Sequence, residues 1–190
     1  MIFPWNDRYY FLGTNDNLDD IGLYIREADT PQALFASGVE QHLILPYDES
    51  RGLVQTFWAP EFHVIGGEAY ILFSVGGNEW APQCQVMHLK AGMPLTDPAS
   101  WEDPIPVRRR DGELLASDAI SLDITYIESA GTGYMVWSYR EHIGDMRGTD
   151  CAADVVAYRL SYVPFEHEVS CGFRSVIRHV VPAVPACDHA

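Results

Sequence analysis

The sequence is short of positive charge: 12 Lys and Arg face 27 Asp and Glu in 190 residues, a formal net charge of −15. Binding a nucleic-acid duplex or an anionic membrane surface needs clustered basic side chains. Arg108-Arg109-Arg110 is a short basic run, but the turn signal Asp111-Gly112 follows it, so it reads as a solvated loop. Nucleic acid and membrane are not expected as partners, whereas a neutral ligand such as a glycan meets no charge penalty. Cysteine pairs are also lacking. Cys84, Cys151, Cys171 and Cys187 form no C-x-x-C motif, so no zinc knuckle or thioredoxin-like site is indicated, and they read as free thiols. No apolar run approaches the ~20 residues of a membrane span. No basic segment leading into an apolar stretch opens the sequence, which gives a cytoplasmic expectation. His42, His63, His88, His142, His167, His179 and His189 show no His-x-x-x-His spacing and read as structural or surface residues. Neither a metal nor a cofactor is indicated.

A helical period is lacking as well. No segment holds it for ten residues with caps at its ends, and Thr30-Pro31-Gln32-Ala33-Leu34-Phe35 offers one turn at most. Strand signals fill the space, supported by 47% hydrophobic and 12% aromatic residues. They recur. Trp5-Asn6-Asp7-Arg8-Tyr9-Tyr10-Phe11-Leu12-Gly13-Thr14, Ile65-Gly66-Gly67-Glu68-Ala69-Tyr70-Ile71-Leu72-Phe73-Ser74 and Ala130-Gly131-Thr132-Gly133-Tyr134-Met135-Val136-Trp137-Ser138 share one plan. Each places a turn pair, a tyrosine, an apolar run and then a small residue. Asn-Asp and Gly-Gly supply the positive φ values that a tight hairpin needs.

Tyr10, Tyr70 and Tyr134 align across the copies, 60 and 64 residues apart. Entering strands are expected at 62–65 and 124–127, and further strands at 21–25, 85–89 and 155–160. Units of this length carrying several short strands are the mark of propeller blades. Blades bury their faces against neighbours, and rings close at ~4–8 of them. Three units leave two faces open, so remaining blades or another chain are expected to complete the ring.

The stretch from Phe57-Trp58-Ala59-Pro60-Glu61 to Phe73-Ser74 resembles the second-blade motif of glycoside hydrolase family 43. Asn6–Thr14 looks like the family's first-blade hairpin, and Ser121-Leu122-Asp123-Ile124-Thr125-Tyr126-Ile127 like its third-blade strand. The resemblance implies an all-β, five-bladed β-propeller with about three blades present over residues 1–160. An irregular or aberrant tail is expected over 161–190, where Val180-Val181-Pro182-Ala183-Val184-Pro185 suits no central strand.

The same resemblance implies a glycosidase that cleaves arabinose- or xylose-containing glycans by inversion. That chemistry needs a general acid and a general base on opposite faces of the sugar, ~6.5–9.5 Å apart, and the family adds an aspartate that tunes the acid. Asp123 matches that pKa modulator. The family's base lies in an Asp-Pro pair ahead of the first hairpin, where this sequence reads Met1-Ile2-Phe3-Pro4, and Asp7 belongs to the turn. The family's acid lies in a Glu-Gly-Pro motif, which residues 145–190 lack. General base and general acid are therefore not found. The resemblance places Trp58 beside the sugar, where it either stacks on a pentose or packs as a core residue between blades. Glu61 reads as a hydrogen-bonding residue near the funnel, structural or substrate-orienting. Thr14-Asn15-Asp16-Asn17 reads as a polar turn. Two functions stay open: a hydrolase on a carbohydrate substrate, or a non-catalytic glycan-binding or degenerate propeller.

Overall fold

The computed structural model describes residues 1–15, 19–109, 112–117, 119–140 and 159–165. Among them, short 3-10 turns aside, every regular element is a β-strand. Blade A orders β1 (Ile2–Trp5), β2 (Arg8–Gly13), β3 (Leu23–Ala28) and β4 (His42–Leu45) side by side. Blade B repeats this with β5 (Gln55–Ile65), β6 (Glu68–Gly76), β7 (Gln83–His88) and β8 (Ile105–Pro106). Blade C holds β9 (Ile120–Ser129), β10 (Thr132–Arg140) and β11 (Arg159–Phe165). All neighbouring strands are antiparallel. This is a propeller with three described blades, led by the inner strands β1, β5 and β9.

Each opening hairpin turns on two consecutive left-handed residues: Asn6-Asp7 (φ 47 and 61), Gly66-Gly67 (61 and 88) and Ala130-Gly131 (51 and 74). That backbone twist matches the twist of the flanking strands, which sets the tight turn. The strands expected after the hairpins are β3, β7 and β11, and residues 155–158 of the last lie outside the described residues. Thr30–Phe35 yields a 3-10 turn at Ala33–Phe35.

β11 spans residue 160, where the sequence reading placed the boundary of the propeller part. β11 pairs with β10 as far as Gly133↔Phe165. Pro164 fits there because β11 is an edge strand of the described sheet, where a missing N–H removes no ladder bond. Residues 166–190, with the rest of the expected tail, lie outside the described residues.

Burial follows the two-residue period of β6. Ala69, Ile71, Phe73 and Val75 pack toward blade A with Leu12, Ile25, Phe57 and Phe62. Tyr70 and Leu72 pack toward blade C with Ile124, Met135 and Trp137. A strand covered on both faces reads as one apolar run, which is how Ala69–Phe73 is spelled. The outer blades differ. Blade A's face away from B leaves Ile2 and Phe35 exposed, with Phe35 edge-on to Phe11 at 5.2 Å. Blade C's face away from B exposes Ile127.

Candidate functional site

Antiparallel order brings the chemistry-bearing residues to one end of the blades. The three hairpin turns mark the opposite end. The starts of β5 and β9 therefore share this end with the β2–β3 connection (14–22) and the β6–β7 connection (77–82). Two hydrogen bonds tie these segments together in equivalent ways. The Phe57 amide donates to the Asp20 carbonyl at 3.3 Å, and the Ser121 amide donates to the Pro82 carbonyl at 3.1 Å. Phe57 and Ser121 are counterparts under the 64-residue spacing. In each case a connection of one blade holds the inner strand of the next.

The inner strands also share a bulge. On β5 the pairing jumps from Trp58↔Ser74 to Glu61↔Leu72. On β9 it jumps from Leu122↔Ser138 to Thr125↔Val136. At this bulge two residues stand unpaired in each strand, Ala59-Pro60 and Asp123-Ile124, and the first of each pair is left-handed: Ala59 at φ 47 and Asp123 at φ 51. Both are exposed, while Pro60 and Ile124 are buried. The bulge bends the strand and turns one side chain outward. The backbone at Asp123 therefore belongs to the fold, because an alanine adopts it in blade B. What distinguishes Asp123 is the carboxylate placed there. Under the 60-residue spacing, the blade A counterpart of these positions falls ahead of Met1, outside the sequence.

Trp58 sits one residue before its bulge and is half-buried. Its indole Nε1–H donates to Asp20 Oδ2 at 3.4 Å, and its ring meets Trp80 at 6.3 Å between centroids and 67° between planes. Trp58 is not among the residues of the core clusters between A and B and between B and C, and its bond to Asp20 reaches across to the connection of blade A. Asp20 and Trp80 were not legible as partners. Asp19-Asp20 lies in a polar connection, and Trp80 follows Gly76-Gly77-Asn78-Glu79, so both read locally as loop. The available signal was the strand order, which sends both connections to the end where β5 starts.

Glu61 lies further along β5, on the side facing blade C. Its Oε2 is 2.8 Å from His63 Nε2, and it accepts a hydrogen bond from Thr125, its own counterpart in the next blade. Burial pushes the Glu61 carboxyl up. The hydrogen bonds from His63 and Thr125, the adjacent His63 and the Met1 ammonium outweigh burial and hold it below its usual value. His63 in turn stands edge-on to Tyr126 at 6.1 Å. A carboxyl held ionised between two inner strands is suited to joining blades and unsuited to donating a proton. Trp58 and Asp123 thus occupy the same level of adjacent blades, and Glu61 lies below them in the blade interface. Of the polar turn expected at Thr14–Asn17, Asn15 accepts from the Asp20 amide at 3.3 Å through its carbonyl, while Asp16 and Asn17 lie outside the described residues.

Among the described residues, no group of three His, Cys, Asp or Glu side chains stands together as a metal site. No helix among them is long and apolar enough to cross a membrane. No family model matches the chain. Individual relatives do. The chain is 35% identical over 136 residues to alpha-L-arabinofuranosidase B of Pyricularia oryzae, covering 70% of this chain and 25% of that protein. It is 33% identical over 134 residues to alpha-L-arabinofuranosidase 43 of Humicola insolens, covering 70% and 25%. A Streptomyces chartreusis protein named extracellular exo-alpha-(1->5)-L-arabinofuranosidase is 29% identical over 134 residues, covering 70% and 38%. The chain thus spans about a quarter to two fifths of the length of these relatives. Among solved structures, the alpha-L-arabinofuranosidase of Lactobacillus brevis superposes with a TM-score of 0.66 at 18% identity, over 93% of this chain and 50% of that one. A thermostable family-43 glycoside hydrolase superposes with a TM-score of 0.54 at 15% identity, over 98% and 53%.

Proposed function

Given that its blades match part of a family 43 arabinofuranosidase-like propeller, we propose that the chain serves the inverting hydrolysis of O-glycosidic bonds in arabinose- or xylose-containing glycans. The observation that carries this reading is the bulge of β9, which turns the Asp123 carboxylate outward at the end where Trp58 stands. In this role Asp123 is the pKa modulator. A negative charge beside a carboxylic acid disfavours ionisation of that acid, which keeps a proton available for the leaving oxygen. Trp58 offers a flat apolar wall to the C–H face of a pentose. Glu61 binds no proton for transfer; it fixes β5 against β9 and so holds the level of Trp58 relative to Asp123.

In this reading the general base and general acid, neither of which has a match among residues 1–190, are supplied by other parts of the completed propeller, whether on the same polypeptide or another. The sequence reading favoured a cytoplasmic protein. The Streptomyces relative's extracellular name favours a secreted one, and fractionation of the source cells decides between them.

A second reading is favoured by one observation: of the family's three carboxylates, Asp123 alone has a match in the sequence. In that reading the propeller binds glycan without turnover. Release of p-nitrophenol from p-nitrophenyl α-L-arabinofuranoside and β-D-xyloside separates the two. Turnover that Asp123→Ala abolishes supports the hydrolase, and glycan binding without turnover supports the second reading.

A further inference from the structure

Trp80 projects from the β6–β7 connection and remains 37% exposed although its ring touches Trp58. Its loop is held in place. Gln55 Nε2 donates to the carbonyls of Gly77 and Asn78 at 2.7 and 3.3 Å, and Asn78 Nδ2 donates to Glu49 Oε1 at 3.1 Å. The Ala81 amide closes the loop onto the Glu79 carbonyl at 2.8 Å. Trp58 is fixed on its other edge by Asp20. The two indoles, 67° apart, therefore make a corner with two walls that supporting contacts hold at a set angle. Rigid aromatic walls that leave a face open at a candidate site mark a place where ligand surface is buried.

We propose that this corner takes two successive units of a neutral arabino-oligosaccharide, with Trp58 under one sugar and Trp80 under the next. The proposal rests on the glycan reading given above and extends it by one sugar unit. The charges at this end argue for a neutral ligand. Asp19 and Asp20 in the β2–β3 connection and Glu79 in the β6–β7 connection frame the corner, and Asp123 stands at the same end on the bulge of β9. Such a rim repels phosphate and uronate groups and accepts hydrogen bonds from hydroxyls. A pentofuranose offers both a C–H face for an indole and hydroxyls for the rim.

The test is calorimetric titration of the full 190-residue chain with arabinotriose and, separately, with methyl α-L-arabinofuranoside. Trp80→Ala is expected to weaken arabinotriose about tenfold, ~1.4 kcal/mol, and to weaken the one-sugar ligand much less. Trp80→Phe, which restores an aromatic wall, is expected to recover most of the loss. A melting curve for each variant shows that it is folded. Equal weakening of both ligands, or no weakening of either, overturns the second sugar position while leaving the Trp58 site standing. Wild-type protein that binds neither ligand overturns the glycan reading itself. Tighter binding of trigalacturonate than of arabinotriose overturns the choice of a neutral ligand.

Discussion

Replacing Ala59 by glycine should make the protein more stable, although it removes a side-chain carbon from an inner strand. Ala59 is held at φ 47 by the bulge between Trp58↔Ser74 and Glu61↔Leu72. The left-handed conformation costs an L-residue about 1–2 kcal/mol through contact of Cβ with the backbone, and glycine avoids that cost. Glycine gives back about 0.4–1 kcal/mol through the larger entropy of its unfolded chain. The exposed methyl of Ala59 contributes no core packing to subtract. The net expectation is about 0.5–1 kcal/mol of stabilisation, which moves the melting temperature of a chain this long up by about 1–4 °C. Urea unfolding followed by tryptophan fluorescence reads the same change as a midpoint shift of about 0.25–0.5 M at an m-value of about 2 kcal/mol/M. Asp123→Gly at the counterpart position should stabilise less, because aspartate enters the left-handed region more readily than alanine. It should also abolish the contribution of Asp123 to ligand binding or turnover, which Ala59→Gly leaves in place. Ala59→Val should destabilise, since a branched Cβ is least tolerated there. A loss of stability on Ala59→Gly would refute the reasoning, because it would mean that β5 does not bulge at this residue.

Other expectations can be checked separately. The depressed Glu61 carboxyl contributes stability that is present above its unfolded-state value of 4.5 and is lost as pH falls through the lower folded-state value. Glu61→Gln should therefore flatten the acid limb of stability against pH, read by urea midpoints between pH 3 and 7, and an unchanged limb would remove Glu61 from the blade contact. Thr125→Ala should cost about 1 kcal/mol, the worth of an ordinary hydrogen bond, measured in the same unfolding assay. Leu72→Ala, which empties a fully buried position between blades B and C, should cost about 2–5 kcal/mol. Burial pushes the Cys84 thiol up to about 12, so Cys84 should resist alkylation at pH 8 in the native protein and react after denaturation, as read by peptide mass spectrometry.

The blade plan was legible because its signals are local. Asn6-Asp7, Gly66-Gly67 and Ala130-Gly131 announce their turns by residue type, and Tyr10, Tyr70 and Tyr134 carry the register from one copy to the next. The outermost strands were not legible. β4 is four residues of His-Leu-Ile-Leu and β8 is the pair Ile105-Pro106, too short for alternation to show. Pro164 within β11 was not legible as a strand residue for a related reason, because a proline reads as a strand breaker until β11 is seen to stand at an edge of the described sheet.

At the site, Trp58, Glu61 and Asp123 were named from a motif, and their arrangement came only with pairing. The shared bulge needs two strands to be seen, although Pro60 inside an inner strand was its trace in the sequence. Glu61 was read as a hydrogen-bonding residue without a partner. The partner, Thr125, is 64 residues away and becomes a neighbour only when β5 packs on β9. Asp20 and Trp80 needed the strand order of two blades before they could be placed beside Trp58.

The central claim is that the end of the blades bearing the two bulges is a glycan site. A crystal structure of the chain soaked with arabinotriose tests it most directly. The account predicts sugar density against the Trp58 ring, within hydrogen-bonding reach of Asp20 or Asp123. Ordered trisaccharide at the opposite, hairpin end of the blades, with the Trp58 corner empty, would contradict it.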